Sequence, residues 1–224
     1  NTKYILILSV LVMLFSSCVM SKKINYLQEG SGMPLYNDSI SFSDYQLQRG
    51  DYIYVRVNSI DQETAEMFNG VSKGINMSFM TPDNSSASLY LYLVEEDNCI
   101  EYPYVGRLDV VGKTLRDVKL MIEDKLKGML HGFSVDVRLA NRSFSVIASS
   151  GSGRYDIPRE QLTIFEALAM CGDLSLYDNR KKIHVIRQVA DSVKVMEFDL
   201  RSKSIIDSEF YYIQPNDVIY IPFD

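Results

Sequence analysis

The sequence contains no tryptophan, two histidines and three cysteines in 224 residues, and basic residues do not outnumber acidic ones. Each shortage removes a class of protein. His131 and His184 stand far apart, with no carboxylate or cysteine at ligand spacing, so no metal-site pattern is present. The net charge is −6, and Lys and Arg occur in runs no longer than Arg180-Lys181-Lys182. That distribution argues against nucleic acid as a partner, because a phosphate track needs clustered cations. No Gly-x-Ser-x-Gly elbow, phosphate loop or dinucleotide fingerprint occurs. What remains, 46% hydrophobic and 23% charged residues, is the composition of an ordinary folded protein with room for one large or two small cores.

The first 18 residues have the three parts of a secretory leader: Lys3, an apolar stretch from Tyr4 to Phe15, and small Ser16-Ser17 before Cys18. The apolar run is short for a span, since crossing the ~30 Å hydrocarbon core takes about 20 residues. Leu14-Phe15-Ser16-Ser17-Cys18 resembles a bacterial lipobox, with Phe15 where an aliphatic residue is usual. The resemblance implies cleavage between Ser17 and Cys18 and a covalent lipid on Cys18. No other cofactor is implied. Without that leader the chain holds 22 Lys+Arg against 29 Asp+Glu, a charge of −7, because the leader contains Lys3 and no acid. Val19-Met20 includes no Asp, which by analogy with bacterial sorting signals favours the outer membrane. Residues 18–43, with Gly30, Gly32 and Pro34, read as a lipidated N-terminus and linker. Cys99 and Cys171 are expected to remain separate thiols, since sequence alone cannot bring their Cα atoms within bonding reach.

Beyond the linker the hydrophobic period alternates between strand and helix values. Tyr52–Val57 alternates around Ile53 and Val55 behind a turn at Gln48-Arg49-Gly50-Asp51. Asp61 to Thr81 has no clean period and reads as a loop or insertion with one helical turn. Leu89–Val94 and Cys99–Val105 flank Glu95-Glu96-Asp97-Asn98 as a hairpin, with Pro103 implying an exposed edge. Thr114 and Asp117 form a capping-box pattern ahead of Leu115, Val118, Ile122 and Leu126, with Gly128 just past the end. Phe133–Leu139 alternates as a strand. After Asn141-Arg142 the pattern restarts: strand Ser143–Ala148, a turn at Gly151-Ser152-Gly153, and a helix opened by Thr163 and Glu166 and ended by Gly172. Strands Ile183–Arg187, Val193–Leu200 and Val218–Pro222 follow. The fold class is therefore α+β, with two small β-grasp-like domains, each a mixed sheet with one packed helix.

An internal echo links the two ends. Tyr45-Gln46-Leu47-Gln48-Arg49-Gly50-Asp51-Tyr52-Ile53-Tyr54-Val55 aligns without gaps on Tyr211-Tyr212-Ile213-Gln214-Pro215-Asn216-Asp217-Val218-Ile219-Tyr220-Ile221. Gly50 and Asn216 are the residue types that most readily adopt left-handed backbone, so one turn-into-strand device is expected twice.

These residues, with Tyr102-Pro103-Tyr104-Val105-Gly106-Arg107-Leu108, Val135-x-Val137-x-Leu139-x-Asn141, Tyr155-x-Ile157-Pro158 and Leu162-Thr163-Ile164-x-Glu166-Ala167-Leu168-Ala169, resemble the polysaccharide export outer-membrane lipoproteins. The resemblance implies a signal peptide at 1–17, an export domain at 44–141 and a soluble-ligand-binding β-grasp (SLBB) domain at 142–224. Gly50, Asp51, Gly106, Gly153, Asn216 and Asp217 would be its structural motif residues. It further implies a ring oligomer, a polysaccharide chain as partner, an inner-membrane copolymerase, and a body in the periplasm. Ser152-Gly153 stands where the family has Pro-Gly, and Met170-Cys171-Gly172 where it has Ala-Gly-Gly. Pore-forming relatives carry a membrane-crossing helix after the last strand, and none follows Ile221 before Asp224, so either the sequence is a fragment or another protein crosses the outer membrane.

Catalysis is not expected. Glu95-Glu96 and Glu123-Asp124 are adjacent pairs, and adjacent side chains point apart rather than converging across a bond. The leading reading is a ring-forming export lipoprotein. Its rivals are a monomeric periplasmic glycan-binding or adaptor lipoprotein, and a hydrolase. The 15 tyrosines suit sugar-facing surface or core strands equally.

Overall fold

A computed structural model describes residues 25–28, 42–69, 91–190 and 192–223. The leader and most of the linker, including Ser17 and Cys18, lie outside the described residues.

The fold is α+β. In the first half the order is β1 (Tyr52–Ser59), α1 (Gln62–Asn69), β2 (Tyr92–Leu93), β3 (Cys99–Tyr102), β4 (Gly106–Asp109), α2 (Leu115–Leu126) and β5 (Phe133–Leu139). β1 is the central strand of the sheet β2-β1-β5, antiparallel to both neighbours. Its alternation sends Ile53, Val55 and Val57 into the core opposite Leu139, Val137 and Val135. α2 begins where its capping box closes. The Asp117 N–H donates to Thr114 Oγ1 (3.2 Å) and the Thr114 N–H donates to Asp117 Oδ2 (3.0 Å). The helix lays Val118, Ile122 and Leu126 against the sheet, all three fully buried. α1 is two turns long rather than one. It buries Ala65 and Phe68, and Asn69 fastens it by bonding both the N–H (2.8 Å) and C=O (2.7 Å) of Val57.

The second half runs β6 (Ser143–Ala148), β7 (Gly151–Asp156), β8 (Leu162–Thr163), α3 (Ile164–Met170), β9 (Ile183–Val189), β10 (Ser192–Phe198), a 3-10 turn (Lys203–Asp207), β11 (Tyr212–Ile213) and β12 (Val218–Tyr220). Its five-stranded sheet has the order β10-β9-β12-β6-β7, with β12 parallel to β6 and antiparallel to β9. α3 starts in a second capping box between Thr163 and Glu166 and buries Ile164, Ala167 and Leu168. The core joins these to Phe144, Val146, Ile183, Val185 and Ile219. The short segment Asn25–Gln28 docks here as well: Tyr26 meets Phe165 edge-on, and the Gln28 N–H donates to the Arg201 carbonyl (2.7 Å).

Three local expectations need correction. Gly151-Ser152-Gly153 is not a turn but the start of β7, because the chain reverses at Ser149-Ser150 and Gly153 pairs with Val146. Gly153 does not use left-handed backbone; a Cβ there would meet the Tyr155 ring at 3.2 Å, so the position is kept small by packing. Pro103 sits in the tight turn between β3 and β4, not within an edge strand. Tyr104 and Gly106 take positive φ (63° and 83°) to make that turn. The sheet of the first half is antiparallel among the described residues, and the mixed sheet belongs to the second half alone.

Candidate functional site: the seam between the halves

The two copies of the echo fold into the same device. In the first, Gly50 is left-handed (φ 83°), and Asp51, 1% exposed, accepts the Gln48 N–H on Oδ2 (2.9 Å). In the second, Asn216 is left-handed (φ 67°), and Asp217, also 1% exposed, accepts the Gln214 N–H on Oδ2 (2.8 Å). Each carboxylate thus closes its own turn across three residues. Five residues before each aspartate, Gln46 and Tyr212 pair with the threonines that cap α2 and α3: Gln46 with Thr114 and Tyr212 with Thr163. The device therefore ties one helix start to one central strand in each half. It precedes the helix in the first half and follows it in the second.

The two carboxylates differ in their remaining partners. Asp51 takes neutral donors: Tyr45 Oη at 2.8 Å, Asn141 Nδ2 at 3.1 Å and Asn216 Nδ2 at 3.3 Å. Asp217 takes a cation. Arg187 forks onto it through Nε (2.9 Å) and Nη2 (2.7 Å), and its other bonds go to the carbonyls of Glu209 and Tyr212. The guanidinium lies 4.5 Å over the Phe210 ring. Burial pushes the Asp217 carboxyl above its ordinary range, against the pull of Arg187 and the Gln214 N–H. Burial and the Asp51 charge push the Tyr45 hydroxyl far above the ordinary tyrosine range, so it stays a donor.

Because Asn216 reaches Asp51, the second turn touches the first, and the devices form a seam between the halves. Phe42 meets Tyr212 edge-on at 5.4 Å, and Gln48 Nε2 donates to the Gln188 carbonyl (2.9 Å) across it. Two grooves flank the seam. One, of about 230 Å³, is lined by amides and an ion pair: Gln46, Gln48, Gln188, Gln214 and Lys194 with Glu209. The other, of about 350 Å³, is lined by Phe42, Asp44, Tyr45, Arg116, Arg142 and Glu160 over a floor that includes Ile157.

Of the motif residues, the fold brings Gly50, Asp51, Asn216 and Asp217 together. Gly106 lies apart at the tip of the β3–β4 hairpin, and Gly153 lies in β7. Glu95-Glu96 sits exposed on the loop before β3. Glu123 accepts the Val135 N–H (3.4 Å), and Asp124 pairs with Lys127 (3.4 Å), so neither acid pair faces a groove. His131 is in a loop, and His184 is on β9, stacked on Tyr220. Among the described residues no cluster of His, Cys, Asp or Glu is placed to hold a metal. Cys99 and Cys171 are unpaired, and burial pushes the Cys171 thiol up. Sequence reading missed Arg187 and the side chain of Asn141. The signal for both was the repeated Asp, since a buried carboxylate requires partners.

This architecture defines a class of scaffold: β-grasp-like units joined through buried polar turns. Residues 41–140 match the family model of the polysaccharide biosynthesis/export proteins, so the chain carries a domain of that family. That match supports a general role in polysaccharide export, which a polysaccharide partner fits.

Proposed function

We propose that this protein is an outer-membrane lipoprotein of a capsular or exopolysaccharide export channel, anchored through lipid on Cys18. It acts by oligomeric assembly and glycan passage without catalysis. The observation that carries this reading is the family domain at 41–140. The leader ending in Ser17-Cys18 supports the anchor. Seven Cα-to-Cα steps lead from Cys18 to the docked Asn25, a reach of at most ~25 Å, so the lipid would hold the second half beside the membrane. Two or more acyl chains would make that attachment stable.

Ring assembly is supported by the outer face of the five-stranded sheet. Val193 and Val195 on the edge strand β10 are 64% and 60% exposed, and Tyr220 and Ile147 are exposed on the same face. A second copy packed on this face would bury those side chains and cover the edge. In this reading the body lies in the periplasm and hands the chain on from an inner-membrane copolymerase.

The test is the mass of the membrane-extracted full-length protein in mild detergent, by light scattering corrected for bound detergent. A multiple of the subunit mass is expected. A monomer that binds glycan would replace the channel component by an adaptor lipoprotein. Cys18→Ala is expected to leave the leader uncleaved by lipoprotein signal peptidase and the protein free of lipid; retention of that variant by its lipid would overturn the anchor.

A further inference from the structure

The larger groove at the seam has a composition that the fold itself does not use. Arg116 and Arg142 both line it, and neither makes a salt bridge to a described residue. The Nη2 atom of Arg142 is buried without a hydrogen-bond partner. Asp44 and Glu160 line the same groove, exposed, and are likewise outside every ion pair among the described residues. Elsewhere at the seam each buried charge is satisfied, Asp51 by amides and a hydroxyl and Asp217 by Arg187. Unused charges of both signs therefore concentrate in one groove beside two aromatic rings, Phe42 and Tyr45.

We propose that this groove binds an acidic sugar residue, a uronate, of the passing polysaccharide. The inference rests on the export reading and names the chemistry of its cargo. A guanidinium matches a carboxylate in a planar two-bond fork, which a neutral sugar cannot offer. Asp44 and Glu160 supply acceptors for sugar hydroxyls, and the ring of Phe42 supplies an apolar face for the sugar's C–H surface. The same two acids disfavour a doubly charged phosphate. The protein as a whole is acidic, −6, so its overall field does not draw in an acidic polymer and any hold on one must be local. Such a hold is weak and local, as suits a chain that must move on.

The test uses the full-length protein in detergent, with tetragalacturonate and maltotetraose as probes in calorimetric titrations at low salt. Tetragalacturonate should bind at least about tenfold more tightly than the neutral oligomer, the ratio expected for one charge-assisted fork. Arg142→Gln and Arg116→Gln should each remove most of that preference and leave weak neutral binding unchanged. Arg116 is exposed, so its variant tests the groove even where Arg142→Gln lowers stability. Equal binding of the two oligomers, no binding of either, an unaltered preference in Arg116→Gln, or displacement of the uronate by inorganic phosphate at equal concentration would overturn the proposal. An intact oligomer that shows no uronate preference would sink this assignment alone, whereas a monomer with the preference would sink the ring and keep the groove.

Discussion

The turns at Gly50-Asp51 and Asn216-Asp217 perform one task with opposite electrostatics. Both bury a carboxylate that closes its turn on the amide three residues back. The first surrounds it with a tyrosine hydroxyl and two carboxamides, whereas the second neutralises it with a forked guanidinium. A repeated backbone device thus fixes where a buried charge must sit, while the surroundings decide how it is compensated. Neutral donors can be lost one at a time. A guanidinium cannot, because removing it leaves an uncompensated ion in a dry site.

The comparison predicts an ordered set of effects. Arg187→Met should be the most damaging, lowering stability by ~3–5 kcal/mol in urea unfolding, since Asp217 and two backbone carbonyls lose their partner. A loss below ~1 kcal/mol would mean that Asp217 is protonated in the wild type. Asp51→Ala removes the acceptor of Tyr45, Gln48 and Asn141 and should cost about 2 kcal/mol. If it equals or exceeds Arg187→Met, the contrast between neutral and ionic compensation is broken. Thr114→Ala and Thr163→Ala delete equivalent caps in separate cores, so each should cost ~1 kcal/mol and the pair should add within ~0.5 kcal/mol. The smallest effect is expected from acid. Burial works against ionisation of Asp178, but hydrogen bonds from Ser149 and Ser175 outweigh it and hold the carboxyl below its ordinary range. Its stabilisation is therefore full above about pH 4 and is lost as pH falls through the lowered value. Asp178→Asn should flatten that part of the acid limb in pH-dependent melting.

Local signals carried much of the fold. The capping box at Thr114 located the start of α2, and alternation located β1 and β5, because both depend on residues within one turn or one pleat. The echo located both left-handed turns. Reading stopped short at β7, where glycines suggested a turn that Ser149-Ser150 makes instead, and at Pro103, which ends a strand rather than lying in one. Turn residues show that the chain can bend but not which of several permitted bends packs best. The candidate site was half legible: the aspartates stood out, but Arg187, 30 residues from Asp217, did not. Nothing in a β9 strand distinguishes an outward arginine from one turned into the core.

By itself the sequence determined the class of fold, the starts of the two principal helices and the doubled turn, since these follow from short-range hydrogen bonding and period. It also supplied the resemblance to an export family, which the match over 41–140 shares. Only the tertiary structure decided that β12 enters between β6 and β9, that Asn216 meets Asp51, and that Arg116, Arg142, Asp44 and Glu160 face one groove. Those outcomes depend on side chains separated by tens of residues, which come together only when two cores close on each other and exclude water.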